Sequence, residues 1–162
     1  MKPNSKESQD QSHCNEEGIS GRMFGNDTLE AIVSKQNLKQ ALDRVERNAG
    51  AAGVDGMSSK ELRSHLAANW PSIREQLLSG SYEPNGIRRV DIPKAGSNEK
   101  RKLGIPTVLD RFIQQAILQV LQSQWDRTFS EHSYGFRPKR SAHQAVRQAQ
   151  QYIREGYEVV VD

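Results

Sequence analysis

The 162-residue sequence holds a single cysteine, Cys14. One thiol cannot close an internal disulfide, so the chain is no cysteine-stapled secreted scaffold, and a reducing compartment fits it. No apolar run approaches the roughly 18 residues that a membrane-spanning helix needs, so no membrane partner is expected. The opening segment, MKPNSKESQDQSHCNEEG, lacks the apolar stretch of a secretory signal. With no targeting segment, the expected compartment is the cytoplasm. Hydrophobic residues are scarce at 35%. A core can form, but a thin one for this length, and part of the chain is expected to stay unstructured or to need a partner surface.

The usual signatures of chemistry are missing too. His13, His65, His132 and His143 have no metal-ligand spacing, and the lone cysteine cannot complete a zinc set. There is no Gly-Lys-Ser/Thr phosphate loop and no nucleophile elbow. No paired acids share one plausible site. The residues themselves therefore point to binding rather than catalysis.

Charge is present, and its distribution is informative. The net charge is +3. Residues 1–60 hold 8 Lys/Arg against 9 Asp/Glu, whereas residues 61–162 hold 15 against 11. The basic excess lies in the second part, which suits a polyanionic partner there. A mildly basic soluble surface would produce the same numbers.

Residues 1–25 are polar and aperiodic, and are expected to form a flexible tail. From 26 to 80 the pattern is helical. Asn26 or Asp27 caps a first helix, and Leu29, Ile32, Val33, Leu38, Leu42 and Val45 recur at helical spacing, with a break expected near Gln36–Asn37. The glycine-rich NAGAAGVDG, 48–56, is a loop. Ser58 or Ser59 then caps a helix through Leu62 and Leu66. Trp70–Pro71 restarts the chain into another, which Gly80 ends. RRVDIP (88–93) and RKLGIP (101–106) predict a β-hairpin with a mobile tip, and Val90 and Ile92 mark its half-buried face. Phe112, Ile113, Ala116, Ile117, Val120 and Leu121 form the stripe of an amphipathic helix from Asp110 to about Arg127. A turn-rich connector, 128–140, leads to a helix capped by Ser141 and stopped near Gly156. YEVVV, 157–161, predicts a buried strand. A strand ending at its apolar stretch is an aggregation hazard, so the natural chain is expected to continue or this is a truncated product.

Two features carry binding chemistry. Arg88, Arg89, Lys94, Lys100, Arg101 and Lys102 crowd the hairpin against only Asp91 and Glu99. An arm of this kind can close on phosphates, since Arg offers forked donors and Lys a mobile charge. The same residues would also serve a solvated surface hairpin. In SYGFRPKR, 133–140, Tyr134 and Phe136 interleave with Arg137, Lys139 and Arg140. Aromatics stack on bases while cations hold phosphates. Alternatively, Tyr134 and Phe136 plug the core and Gly135 permits a tight bend. His132 and His143 are read as solvent-exposed or locally bonded, and Trp70 and Trp125 as helix anchors.

RRVDIPKAGSNEKRKLGIPTVLDRFIQQAI, 88–117, resembles the first finger blocks of group II intron-encoded reverse transcriptases. FSEHSYGFRPKRSAHQAV, 129–146, resembles the next block, and AGAAGVDGMS, 49–58, the segment that precedes them. Together these cover about residues 36–162. The resemblance implies an α+β fold: right-hand polymerase fingers with amino-terminal helices (26–80), an antiparallel finger hairpin (within 81–156) and the first strand of the palm (157–162), an incomplete domain. It implies an RNA-directed DNA polymerase and intron maturase, present as a fragment that is inactive by itself. The implied partners are group II intron RNA, an RNA template with a DNA primer, and deoxynucleoside triphosphates. The implied cofactor is Mg2+, held in the family by palm aspartates that are not expected within this chain.

Residue by residue, Lys94 and Arg101 match the family's two triphosphate-contacting cations. Arg111 matches a basic finger residue near the template–nucleotide pair. Tyr134, Gly135, Phe136 and Arg137 match the block lining the template path, and Arg88, Arg89 and Lys102 add RNA-facing charge along the hairpin. By the family's register Asp162 is the acid two residues before the metal ligand, or else that ligand itself. Two alternatives share the scaffold: a non-enzymatic RNA-binding splicing factor, and a retron- or CRISPR-associated reverse transcriptase.

Overall fold

The computed structural model describes residues 26–96 and 98–160. The expected tail 1–25 with Cys14 lies outside the described residues, as do Ser97 in the hairpin tip and the terminal pair Val161 and Asp162. Within that range the chain is α+β. The order is α1 (Asn26–Ile32), α2 (Lys35–Asn48), α3 (Leu62–Ser79), β1 (Arg88–Pro93), β2 (Lys100–Ile105), α4 (Val108–Trp125), a 3-10 turn (Asp126–Thr128) and α5 (Ala142–Arg154).

The core is built around α4. Its residues Val108, Phe112, Ile113 and Ala116 are buried against Ile32 and Val33 at the end of α1, Ala41 and Val45 of α2, and Leu62, Leu66 and Ile73 of α3. Trp70 packs edge-on against Phe112, with ring centroids 6.1 Å apart. Asn37 ties two helices to a third. Its amide nitrogen donates to the carbonyls of Ile32 (2.8 Å) and Ala116 (3.0 Å), and Gln119 returns a bond to its Oδ1 at 2.7 Å.

Ser34, not Gln36–Asn37, separates the first two helices. It adopts extended backbone and its side chain accepts from the Asn37 amide, as an N-cap should. Proline does not restart the chain either, since α3 runs unbroken through Pro71. The carbonyl that Pro71 leaves without its i−4 partner belongs to Ala67. Both residues are exposed, so water can take the bond that a buried site would have lost. The start of α3 lacks a serine cap: Glu61 is the N-cap residue, with no side-chain bond to the helix, and Ser58 instead donates to its carboxylate. Gly80 ends α3 in the left-handed conformation, φ 73°, as expected of a C-cap glycine.

The hairpin forms where the alternation placed it. β1 and β2 pair antiparallel, with Arg88 opposite Ile105, Val90 opposite Leu103 and Ile92 opposite Arg101. Beyond Trp125 burial ceases. No described residue from 126 to 160 is buried. α5 has a full capping box at Ser141 and Gln144, yet Val146 and Ile153 remain exposed. Residues 157–160 form no strand. Strand geometry needs a pairing partner, and none lies beside this segment among the described residues.

Candidate nucleic-acid interface

The register of the hairpin sorts its cations. Directly opposed residues in an antiparallel pair project to the same face, and faces alternate along each strand. Arg88, Val90, Ile92, Leu103 and Arg101 therefore share one face. Arg89, Asp91, Lys102 and Lys100 share the other. The first face is the half-buried one on β1, where Arg88, Val90 and Ile92 alternate with exposed neighbours. By the same alternation Lys94, just past β1, belongs with Arg101. Among the described residues no ion pair involves Arg88, Arg89, Arg101 or Lys102. Lys94 is held differently: its ammonium lies 2.5 Å from the Glu99 carboxylate across the tip, both side chains largely exposed. An exposed pair of this kind contributes about 0–1 kcal/mol.

Arg111 is turned elsewhere. Its guanidinium donates to the carbonyl of Ala51 at 2.8 Å and reaches that of Gly50 at 3.5 Å. No hydrogen bond or ion pair joins it to Lys94 or Arg101 among the described residues. It secures the glycine-rich loop, which needs its small residues at this point. A Cβ on Gly50 would lie 2.3 Å from Arg111 Nη1, and one on Gly53 would lie 2.6 Å from the Thr107 backbone.

The connector divides its residues in the same way. Arg137 is an internal strut with only 9% of its side chain exposed. It donates to Asp126 Oδ1 (2.9 Å) and to the carbonyls of Asp126 (2.7 Å), Ser130 (2.7 Å) and Ser133 (3.2 Å). The hydrogen bond from Arg137, aided by the charges of Arg137 and Arg140, holds the Asp126 carboxyl below its ordinary pKa despite partial burial. Tyr134 is half-buried, with the Arg140 guanidinium 5.4 Å from its ring centre. Phe136 does not plug the core. It stands fully exposed on a left-handed backbone, φ 56°. The tight bend is thus made by Phe136 itself, while Gly135 has no positive φ and open space where a Cβ would be. Phe129, Phe136 and Gly135 line an apolar groove with Ile117, Leu121 and Trp125 of α4, about 500 Å³ in volume. His132 is locally bonded, its Nδ1 2.9 Å from the Tyr152 hydroxyl.

Reading the chain for charge missed Asp110, a buried carboxylate at 3% exposure. Thr107-x-x-Asp110 has the spacing of a helix amino terminus, and that was the available signal. Among the described residues no group of three or more His, Cys, Asp or Glu side chains could hold a metal ion. No described helix is long and apolar enough to cross a membrane.

No protein-family model matches the chain. It is 44% identical over 101 residues to Protein YkfC of Escherichia coli, which is 62% of this chain and 26% of the relative. It is 38% identical over 94 residues to the group II intron-encoded protein LtrA of Lactococcus lactis, covering 58% of this chain and 14% of that one. A 91 kDa protein in the cob intron of Schizosaccharomyces pombe is 42% identical over 75 residues, 46% of this chain and 9% of its own length. The relatives thus include group II intron-encoded proteins, and the matches span about a quarter of the length of the first relative and less of the others.

Proposed function

We propose that this chain, a relative of group II intron-encoded proteins, is the finger portion of an RNA-directed DNA polymerase that also acts as an intron maturase. The supporting observation is the two-faced cationic hairpin. Arg88, Arg101 and Lys94 share one face, where several donors can meet a triphosphate. Arg89 and Lys102 share the other with Lys100, where they can follow an RNA backbone. Tyr134 and the bare ring of Phe136 offer stacking surface in the connector that follows α4. Arg111 braces the glycine-rich loop and Arg137 the connector in this reading. Magnesium and its carboxylates are assigned to none of the described residues.

A triphosphate concentrates negative charge, and the charge developing on its leaving group must be stabilised in the transition state. A guanidinium can bridge two phosphate oxygens with a fixed planar fork, whereas an ammonium acts as a point charge. In a full-length protein carrying this segment, Arg101→Ala is expected to lower single-nucleotide incorporation by about 30- to 1000-fold. Intron RNA affinity should change by less than about tenfold, because that contact is spread over many phosphates. Equal loss in both assays rejects the triphosphate role. The Lys94–Glu99 pair favours a second reading, an RNA-binding splicing factor with no nucleotide clamp. Under that reading Arg101→Ala weakens RNA binding and leaves no separate effect on incorporation.

A further inference from the structure

Asp110 is buried in the first turn of α4, and all its partners are donors. Oδ1 accepts from the Tyr82 hydroxyl at 2.8 Å. Oδ2 accepts from the Asn85 backbone amide (3.1 Å), the Asn85 side-chain amide (3.3 Å) and the Thr107 hydroxyl (2.5 Å). No ion pair reaches it among the described residues. Burial, followed by the hydrogen bond to and charge of Asp110, pushes the Tyr82 pKa well up, so the phenol stays protonated and donates.

The sequence positions of these donors are what matter. Tyr82 and Asn85 lie on the leg that leads from α3 into β1. Thr107 lies on the return leg, between β2 and α4. We propose that Asp110 is the positioning residue of the hairpin arm, its one carboxylate tying both legs to the same turn of α4. A two-stranded hairpin is marginal in water, and among the described residues no third strand flanks this one. Its direction relative to the helices must therefore come from its base. Capping of α4 does not explain the arrangement, because the Thr107 side chain already accepts from the Asp110 amide at 3.1 Å. Tyr82 and Asn85 come from outside the helix altogether. A carboxylate is costly to bury unless every lone pair is used, and its removal leaves four donors facing nothing. The adjacent Arg111 ties the glycine-rich loop to the same turn, so this Asp-Arg pair organises both segments that flank the helix start.

The consequence for RNA rests on the function proposed above, whereas the clamp itself does not. The test uses the full chain, hydrogen exchange read at single amides, and a structured RNA hairpin with a single-stranded overhang as probe. Asp110→Asn keeps the shape but turns an amide donor toward donors. Exchange at Asn85 and along β1 and β2 is expected to rise about tenfold or more while the buried faces of α2 and α4 stay protected. Removing an acid should, on charge alone, strengthen binding to a polyanion. A displaced arm does the opposite: RNA affinity is expected to fall about three- to tenfold, with the slope of log affinity against log salt shallower by about one. Tyr82→Phe, which removes one donor and keeps the ring, should move the same readouts less, and it decides the matter if Asp110→Asn does not fold. Unchanged exchange in the arm of a folded variant overturns the clamp. So does loss of core and arm protection together in Tyr82→Phe, which marks a merely structural role. A loosened arm with undiminished RNA affinity overturns the positioning role. If wild type itself does not bind the RNA, the loosened arm upholds the clamp and the proposed function fails instead.

Discussion

Helices α4 and α5 carry the same kind of apolar stripe and meet opposite fates. In α4 the stripe of Phe112, Ile113 and Ala116 is buried under three other helices. In α5 Val146 and Ile153, seven residues apart and so on one helix face, stay exposed. Both helices have an N-cap whose side chain accepts a backbone bond, Thr107 in one and Ser141 in the other. Local signals are therefore satisfied equally. What differs is cover, and the comparison shows that a helix start and a helix face are separate facts. The first is written within four residues of chain, while the second depends on segments far away.

The largest expected effect lies in that contrast. Phe112→Ala should cost about 3–5 kcal/mol in urea unfolding, through lost transfer energy and the cavity left behind. Ile153→Ala should stay within about 0.5 kcal/mol, as a surface change does. Similar losses at the two sites would mean that α5 is covered after all. Glycines extend the comparison. Gly53→Ala drives a methyl into the Thr107 backbone and should cost about 1–3 kcal/mol, while Gly135→Ala meets open space and should be near neutral in the same measurement.

Removing a cap probes α5 by itself. With none of its residues buried, that helix depends largely on its own termini, and Ser141→Ala should weaken it by about 1 kcal/mol. The expected readout is faster amide exchange in α5 with an unchanged melting temperature for the α1–α4 core. A shifted core melting temperature would show that the two regions unfold as one.

The smallest expected effect concerns pH. Asp126 has a folded pKa below its unfolded value, because Arg137 donates to it. A carboxyl depressed in this way stabilises the folded connector above the unfolded value of about 3.9. That contribution is lost as pH falls below it, through the folded pKa. An NMR titration of the Asp126 carboxyl carbon should show the low midpoint in wild type. In Arg137→Ala the midpoint should move up toward the ordinary value, and an unmoved midpoint would remove Arg137 as the cause.

The hairpin with its half-buried face, the end of α3 at Gly80 and the start of α5 at Ser141 all followed from spacing and turn chemistry, which act over a few residues. The same reasoning misplaced the α1–α2 break and cut α3 at Pro71, because a proline on a wet helix face loses a bond that water replaces. The candidate site was legible as a set of cations and aromatics, but not as an arrangement. Arg137 and Arg111 read as free charges, and folding committed them to carbonyls and to Asp126. Phe136 read equally well as a core plug, and folding left it bare. Asp110 read only as the start of a helix, since its donors at 82, 85 and 107 converge only once α3, the hairpin and α4 are packed. Periodicity and capping are local and survive in a string of residues. Burial, ion pairing and the aim of a cation depend on contacts between distant segments, and tertiary packing alone decides them.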